Sequence, residues 1–178
     1  MKLLTQILLF LLISFLTGCS NNDKTNTVSA AIKNPEIMYS EALFEFESEN
    51  YEIAMGKFNE IELSFPLSKE AIQSQIMVAF TNYIKLEYDS AILKLDRIIQ
   101  RYPSYKDIDY VYYMKAMCYY EQIENPELDG QNNDLALQSF KETINYFPNS
   151  KYARDSEQKI ILLKENIAGK HMNVGMFY

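Results

Sequence analysis

Few side chains in this sequence are suited to chemistry of their own. The single histidine, His171, is the one imidazole a nucleophile triad would have to use. It lies near the C-terminal end and reads as an interface or solvated side chain. There are two cysteines, Cys19 and Cys118. Cys118 follows Ala116 in a helical pattern and reads as a small packing residue. The sequence has 24 acidic side chains, and pairs among them arise by chance on the solvated faces of helices. No phosphate loop, dinucleotide fingerprint or zinc-ligand spacing occurs. The expectation is a protein that binds rather than catalyses, with no cofactor and no metal.

Cys19 is the exception, because its surroundings give its sulfur a use. Lys2 supplies a positive start, and Leu3 to Leu16 is nearly all apolar. That run is too short for a comfortable membrane span of ~20 residues, and reads as the core of an export signal. It closes on Leu16-Thr17-Gly18-Cys19, followed by polar Ser20-Asn21-Asn22-Asp23. The tetrapeptide resembles the lipobox of bacterial lipoproteins. That resemblance implies cleavage after residue 18, with Cys19 becoming an N-palmitoyl, S-diacylglycerol cysteine. Each buried acyl CH₂ contributes ~0.8 kcal/mol, so several chains hold almost permanently. Ser20, where an Asp would imply retention, implies transfer to the outer membrane, on its periplasmic face.

Without Lys2 the sequence has 16 basic and 24 acidic side chains. An acidic surface argues against nucleic acid and against adsorption to anionic lipid, so the membrane attachment rests on the lipid. Residues 20–34 are polar, without apolar period, and read with Cys19 as a lipidated tether over 19–34. Such a coil spans roughly 20–25 Å, which keeps residues 35–178 near the bilayer.

Beyond Pro35 the period becomes helical and the sequence repeats itself. Three segments share one plan: Ala54 to Pro66, Ala91 to Pro103 and Ala136 to Pro148, each spanning twelve residues. Four residues after each Ala stands a large apolar side chain, Phe58, Leu95 or Phe140, on the same helix face. A second alanine precedes each: Ala42, Ala79 and Ala116. The third interval is eight residues longer, and the excess falls in the turn-formers Asn125 to Asn133. Each unit reads as a helical hairpin. Small alanines let helix A and helix B approach, large side chains fill the space around them, and proline stops helix B. One hairpin cannot bury its own face, but stacked hairpins can.

This order of small residue, Tyr, Ala, aromatic and Pro resembles the tetratricopeptide repeat. Ile61, Ile98 and Thr143 stand where that repeat usually has Ala, and Glu45 and Asn82 where it prefers Tyr. The resemblance implies an all-α fold, a right-handed superhelix of hairpins (an α-solenoid) whose A helices line a concave groove. The expected repeats are 36–66, 68–103 and 104–148, then a linking helix 150–166 and a partial fourth repeat 168–178. By register, the groove positions are Tyr39, Leu43 and Phe46; Ile76, Phe80 and Tyr83; Tyr110, Tyr113, Met117 and Tyr120. Tyrosine joins an apolar ring to a polar tip, which suits a trough for an extended peptide.

A closer similarity rests on the lipobox, the three repeats, Ser104 to Met114, the insertion in repeat three, Phe147-Pro-Asn-Ser-Lys-Tyr152, and Ala168 to Tyr178. Together these resemble the BamD (ComL/YfiO) family, lipoproteins of the outer-membrane β-barrel assembly machinery, the BAM complex. That resemblance implies a non-catalytic scaffold with five repeats. Its implied partners are a BamA-like barrel subunit, other assembly-complex lipoproteins and unfolded outer-membrane β-barrel proteins. The family's C-terminal half, which the resemblance associates with BamA contact, is not among these 178 residues, so the expectation is either a fragment or an altered BamA surface. The alternative is another lipidated repeat scaffold, such as a pilotin for secretin assembly.

Overall fold

The computed structural model describes residues 34–123 and 130–177, with side chains in the last helix through Glu165. Cys19, the expected signal 1–18, nearly all of the tether and the side chain of His171 lie outside the described residues.

Seven helices follow one another, with no strand among the described residues: α1 Pro35–Glu47, α2 Tyr51–Ser64, α3 Lys69–Ile84, α4 Tyr88–Arg101, α5 Ile108–Glu121, α6 Gly130–Tyr146 and α7 Lys151–Phe177. Their starts are chemically marked. Asn34 accepts from the Glu36 N–H at 2.8 Å, with Pro35 at the first helical position. Ser68 accepts from Ala71 N at 3.0 Å, and Ser150 from Tyr152 N at 3.1 Å. The ends are marked too. The N–H groups of Phe65, Tyr102 and Phe147 close the last turns of α2, α4 and α6 on Ile61, Ile98 and Thr143. A proline follows each, and it cannot extend the helix.

Within the hairpins, the alanines of the A and B helices are fully buried in pairs: Ala42 with Ala54, Ala79 with Ala91, Ala116 with Ala136. Phe58, Leu95 and Phe140 are equally buried beside them. Ile61, Ile98 and Thr143, the departures from the usual repeat, have no exposed surface either. Thr143 satisfies its hydroxyl by donating to Ser139 O at 3.1 Å. Each helix packs on the next, and α1 on α3, α3 on α5 and α5 on α7. No such contact joins α2, α4 and α6 to one another. That asymmetry is the mark of a solenoid whose A helices share one side.

Two expectations are corrected. The insertion was placed in turn-formers as far as Asn133, yet α6 already begins at Gly130 and Asn133 is buried. Helix B of the third hairpin therefore starts six residues before its alanine, where α2 and α4 start three before theirs. The linking helix 150–166 and the partial repeat 168–178 are one helix, α7, with no break between them. It starts after Phe147-Pro148-Asn149-Ser150 as α3 starts after Phe65-Pro66-Leu67-Ser68. Packed on α5 and α6, it occupies the place of a fourth helix A from residue 151 onward.

Candidate peptide groove

Helices α1, α3, α5 and α7 each bring aromatic side chains to one side. Ring follows ring along it. Phe46 lies 5.8 Å from Phe80, Phe80 stacks at 6.3 Å on Tyr83, and Tyr110 and Tyr113 each lie 5.2 Å from Tyr152 of α7. Such spacings are those of attractive offset and edge contacts.

Two hollows open between these rings, with Tyr110 as their shared wall. The first, about 210 Å³, is apolar and lined by Phe80, Tyr83, Tyr110, Tyr113, Met114 and Met117. The second, about 320 Å³, is mixed. Tyr39, Ile76, Met77, Tyr105, Tyr110 and Tyr152 give its apolar walls, and Gln73, Lys106, Asp107, Asp109 and Lys151 its polar ones. Lys151 also lies 4.8 Å over the Tyr152 ring. An apolar hollow that shares a wall with a mixed one suits a chain that offers both side chains and backbone or end groups.

The expected groove residues divide into four groups. Phe80, Tyr83, Tyr110, Tyr113 and Met117 line the apolar hollow, while Tyr39 and Ile76 join Tyr110 in the mixed one. Phe46 extends the row through Phe80, and Ile76 is itself part of the buried core. Leu43 and Tyr120 line neither hollow. Tyr120 packs on Phe140 at 6.0 Å and lies beneath Lys159 at 5.1 Å.

Two of the phenol hydroxyls are already committed. Tyr83 Oη donates to Glu121 Oε1 at 3.4 Å, and Tyr113 Oη donates to Asp155 Oδ2. Burial, then the Glu121 charge, pushes the Tyr83 phenol up to about 12. Burial first, then the Asp155 hydrogen bond, raises Tyr113, and burial raises Tyr110 and Tyr39. These phenols remain protonated at neutral pH. At Tyr83 and Tyr113 the oxygen lone pairs, rather than the proton, remain to meet a peptide N–H.

Sequence register did not reach Tyr152, Tyr105 or the charged rim. The signal for Tyr152 was present in the repetition of Phe-Pro-x-Ser before α3 and α7. Taken as a helix-A start, it puts Tyr152 at the mouth of the next repeat. The rim residues Lys106, Asp107 and Asp109 carry no periodic signal, because they come from the turn and first residues before and within α5.

Residues 32–178 match the family model described as YfiO, outer membrane lipoprotein. The chain is 33% identical over 177 residues to the outer membrane protein assembly factor BamD of Rickettsia prowazekii (strain Madrid E), covering 99% of this chain and 68% of that protein. Identity is 31% over 161 residues to the BamD of Caulobacter vibrioides, covering 90% of this chain and 53% of that one. It is 31% over 153 residues to the BamD of Neisseria meningitidis serogroup B, covering 80% and 57%. The chain thus spans between about half and two thirds of the length of these relatives.

Proposed function

The chain belongs to the YfiO family of outer membrane lipoproteins, and we propose that it serves as an assembly factor for outer-membrane β-barrel proteins. In this reading it is a non-catalytic scaffold, held by lipid on Cys19 at the periplasmic face of the outer membrane. Residues 1–18 are the export signal and 19–34 the tether. Its partners are a BamA-like barrel subunit, further lipoproteins of the assembly complex, and unfolded barrel proteins. Transfer of an acyl probe to Cys19, lost in Cys19→Ala, tests the anchor.

The observation that carries the reading is the row of rings from Phe46 to Tyr152 with its two adjoining hollows. An unfolded barrel strand presents alternate side chains on one face, so it needs a row of shallow pockets rather than one deep cavity. The BamD resemblance points to the C-terminal segment of such a protein, extended and ending in an aromatic residue. The apolar hollow between Phe80 and Met117 accommodates that terminal ring. The mixed hollow, with Lys106 and Lys151, lies next along the row.

The test is titration of a labelled barrel C-terminal peptide against the full chain. Tyr83→Ala and Tyr113→Ala should each weaken binding by roughly thirtyfold, the effect of truncating an anchor worth ~2 kcal/mol. Tyr120→Ala, outside both hollows, should change it far less. Equal binding by the parent and both groove variants, with helicity intact, would remove the groove as the reading site. Indifference of the parent to barrel peptides, with capture of a secretin, would favour the pilotin alternative.

A further inference from the structure

A second surface, at the other end of the repeat from α7, remains unassigned by the groove. On α1, Ile37 and Phe44 are 56% and 67% exposed, seven residues apart and therefore on one face. Repeat register gives their counterparts. Ser74 and Thr81 hold these places in α3, Val111 and Cys118 in α5, Ser156 and Leu163 in α7, and all six are buried. In those helices the face clusters with a preceding helix B: Val78, between Ser74 and Thr81, with Phe58 and Ile61 of α2, Val111 and Cys118 with Leu95 and Ile98 of α4, and Leu163 with Phe140 of α6. The face of α1 thus has the position of a helix-receiving surface and the most apolar side chains of the series, but among the described residues it stands open.

Charge indicates what the surface receives. Residues 35–67 hold eight glutamates against Lys57 alone, a net of −7 that equals the net charge of the whole chain. The remaining residues balance, with 16 acidic and 16 basic. Glu41 lies between Ile37 and Phe44 with its side chain 60% exposed, reached by Lys57 at 3.8 Å, and exposed Glu47 follows on the same helix. A second copy of the same surface would bring like charges together, which costs several kcal/mol when they are juxtaposed closely.

We propose that the open face of α1 docks a basic amphipathic helix from another protein, which takes the place of a preceding helix B. Its apolar stripe covers Ile37 and Phe44. Its lysines and arginines meet Glu41 and Glu47, whereas Glu36, Glu52 and Glu62 already pair with Lys69, Lys85 and Arg101 of the next repeat. This surface is independent of the peptide groove, so an assembly partner and a barrel substrate bind at once.

The probe is a synthetic helical peptide of about 18 residues, with leucines at i, i+3, i+4 and i+7 and Lys/Arg along both flanks. It is titrated against the full chain in lipid nanodiscs. A scrambled peptide of the same composition and a twin with Glu in place of Lys/Arg are the controls. The striped basic peptide should bind and the controls should not. The pair Ile37→Ser with Phe44→Thr, which installs the residues that α3 carries at these places, should weaken binding at least about tenfold with helicity unchanged. Glu41→Lys with Glu47→Lys should transfer the preference to the acidic twin. Equal binding of the scrambled peptide, or unchanged affinity in both paired variants, would overturn the proposal. Self-association of the parent lost in Phe44→Thr would overturn it in favour of a second copy. A lower denaturation midpoint in Phe44→Thr without peptide would assign the face to the chain's own residues instead.

Discussion

The Tyr113 hydroxyl donates a hydrogen bond to Asp155 across 42 residues of sequence, tying the middle of α5 to the first turns of α7. The ring of Tyr113 stacks on Tyr152 three residues before that aspartate. One side chain thereby closes the groove wall and fixes the helix that follows the third hairpin.

Removing the hydroxyl separates those two jobs. Tyr113→Phe keeps the ring and loses a hydrogen bond to a charged acceptor, so it should cost about 1–2 kcal/mol in denaturant unfolding. Because the hydroxyl proton is already committed to Asp155, its oxygen can only accept from a peptide N–H, a bond worth ~0.5–1.5 kcal/mol, so peptide affinity should fall only about two- to tenfold. A large loss of affinity in Tyr113→Phe would show that the hydroxyl is released to the peptide on binding.

Ala91 of α4 has no exposed surface and shares one core cluster with fully buried Ala79 of α3. Ala91→Leu should overpack that cluster and cost ~1–3 kcal/mol, read as a fall in denaturant midpoint at unchanged slope. An unchanged midpoint would mean that the hairpin yields there without strain.

Glu49 and Leu86 occupy the same place in the first two hairpins, and both are left-handed, at φ 61 and φ 62. The turn demands it. The following N–H groups, of Asn50 and Glu87, reach back to Glu45 O and Asn82 O at 2.9 and 2.8 Å. Leu86 is mostly exposed, so little packing is lost on its removal. A left-handed non-glycine residue costs ~1–2 kcal/mol, partly offset by the greater unfolded-state freedom of glycine. Leu86→Gly should raise stability by about 0.5–1 kcal/mol, whereas a β-branched Leu86→Val should lower the melting temperature. The reverse order would contradict the strain.

Alkaline pH should loosen the protein in a definite window. Burial pushes the Cys118 thiol and the Tyr83 phenol each up to about 12, and also raises Tyr110 and Tyr113. The folded state therefore holds protons that the unfolded chain has released. Their contribution to stability is whole below the ordinary values of ~8.5 for Cys and ~10 for Tyr, and is lost as pH rises through 12. Urea midpoints should be flat from pH 7 to about 8.5 and fall beyond. Cys118→Ala should remove the part of the fall that begins before pH ~10. A midpoint independent of pH up to 11 would contradict these shifts. The same burial should leave the Cys118 thiol unreactive to maleimide until the chain unfolds.

The sequence by itself determined the hairpins. The Ala-to-Pro spacing and the large residue four after each Ala act within one or two helical turns. Local hydrogen bonding and helix period are therefore enough to reveal them. It also held the charge of the first hairpin, since glutamates can be counted without a fold. Tertiary structure decided the rest. Whether Tyr152 belongs to a linking helix or to a groove wall depends on α7 packing against α5, a contact no local pattern encodes. The acceptors of Tyr83 and Tyr113 lie 38 and 42 residues away. Tyr120 and Tyr113 look alike by register, yet one packs on Phe140 beneath Lys159 and the other opens into the apolar hollow. The two stand seven residues apart on α5 and so share a face, and only the neighbouring helices, which bring Phe140 and Lys159 to Tyr120, decide which of them is covered.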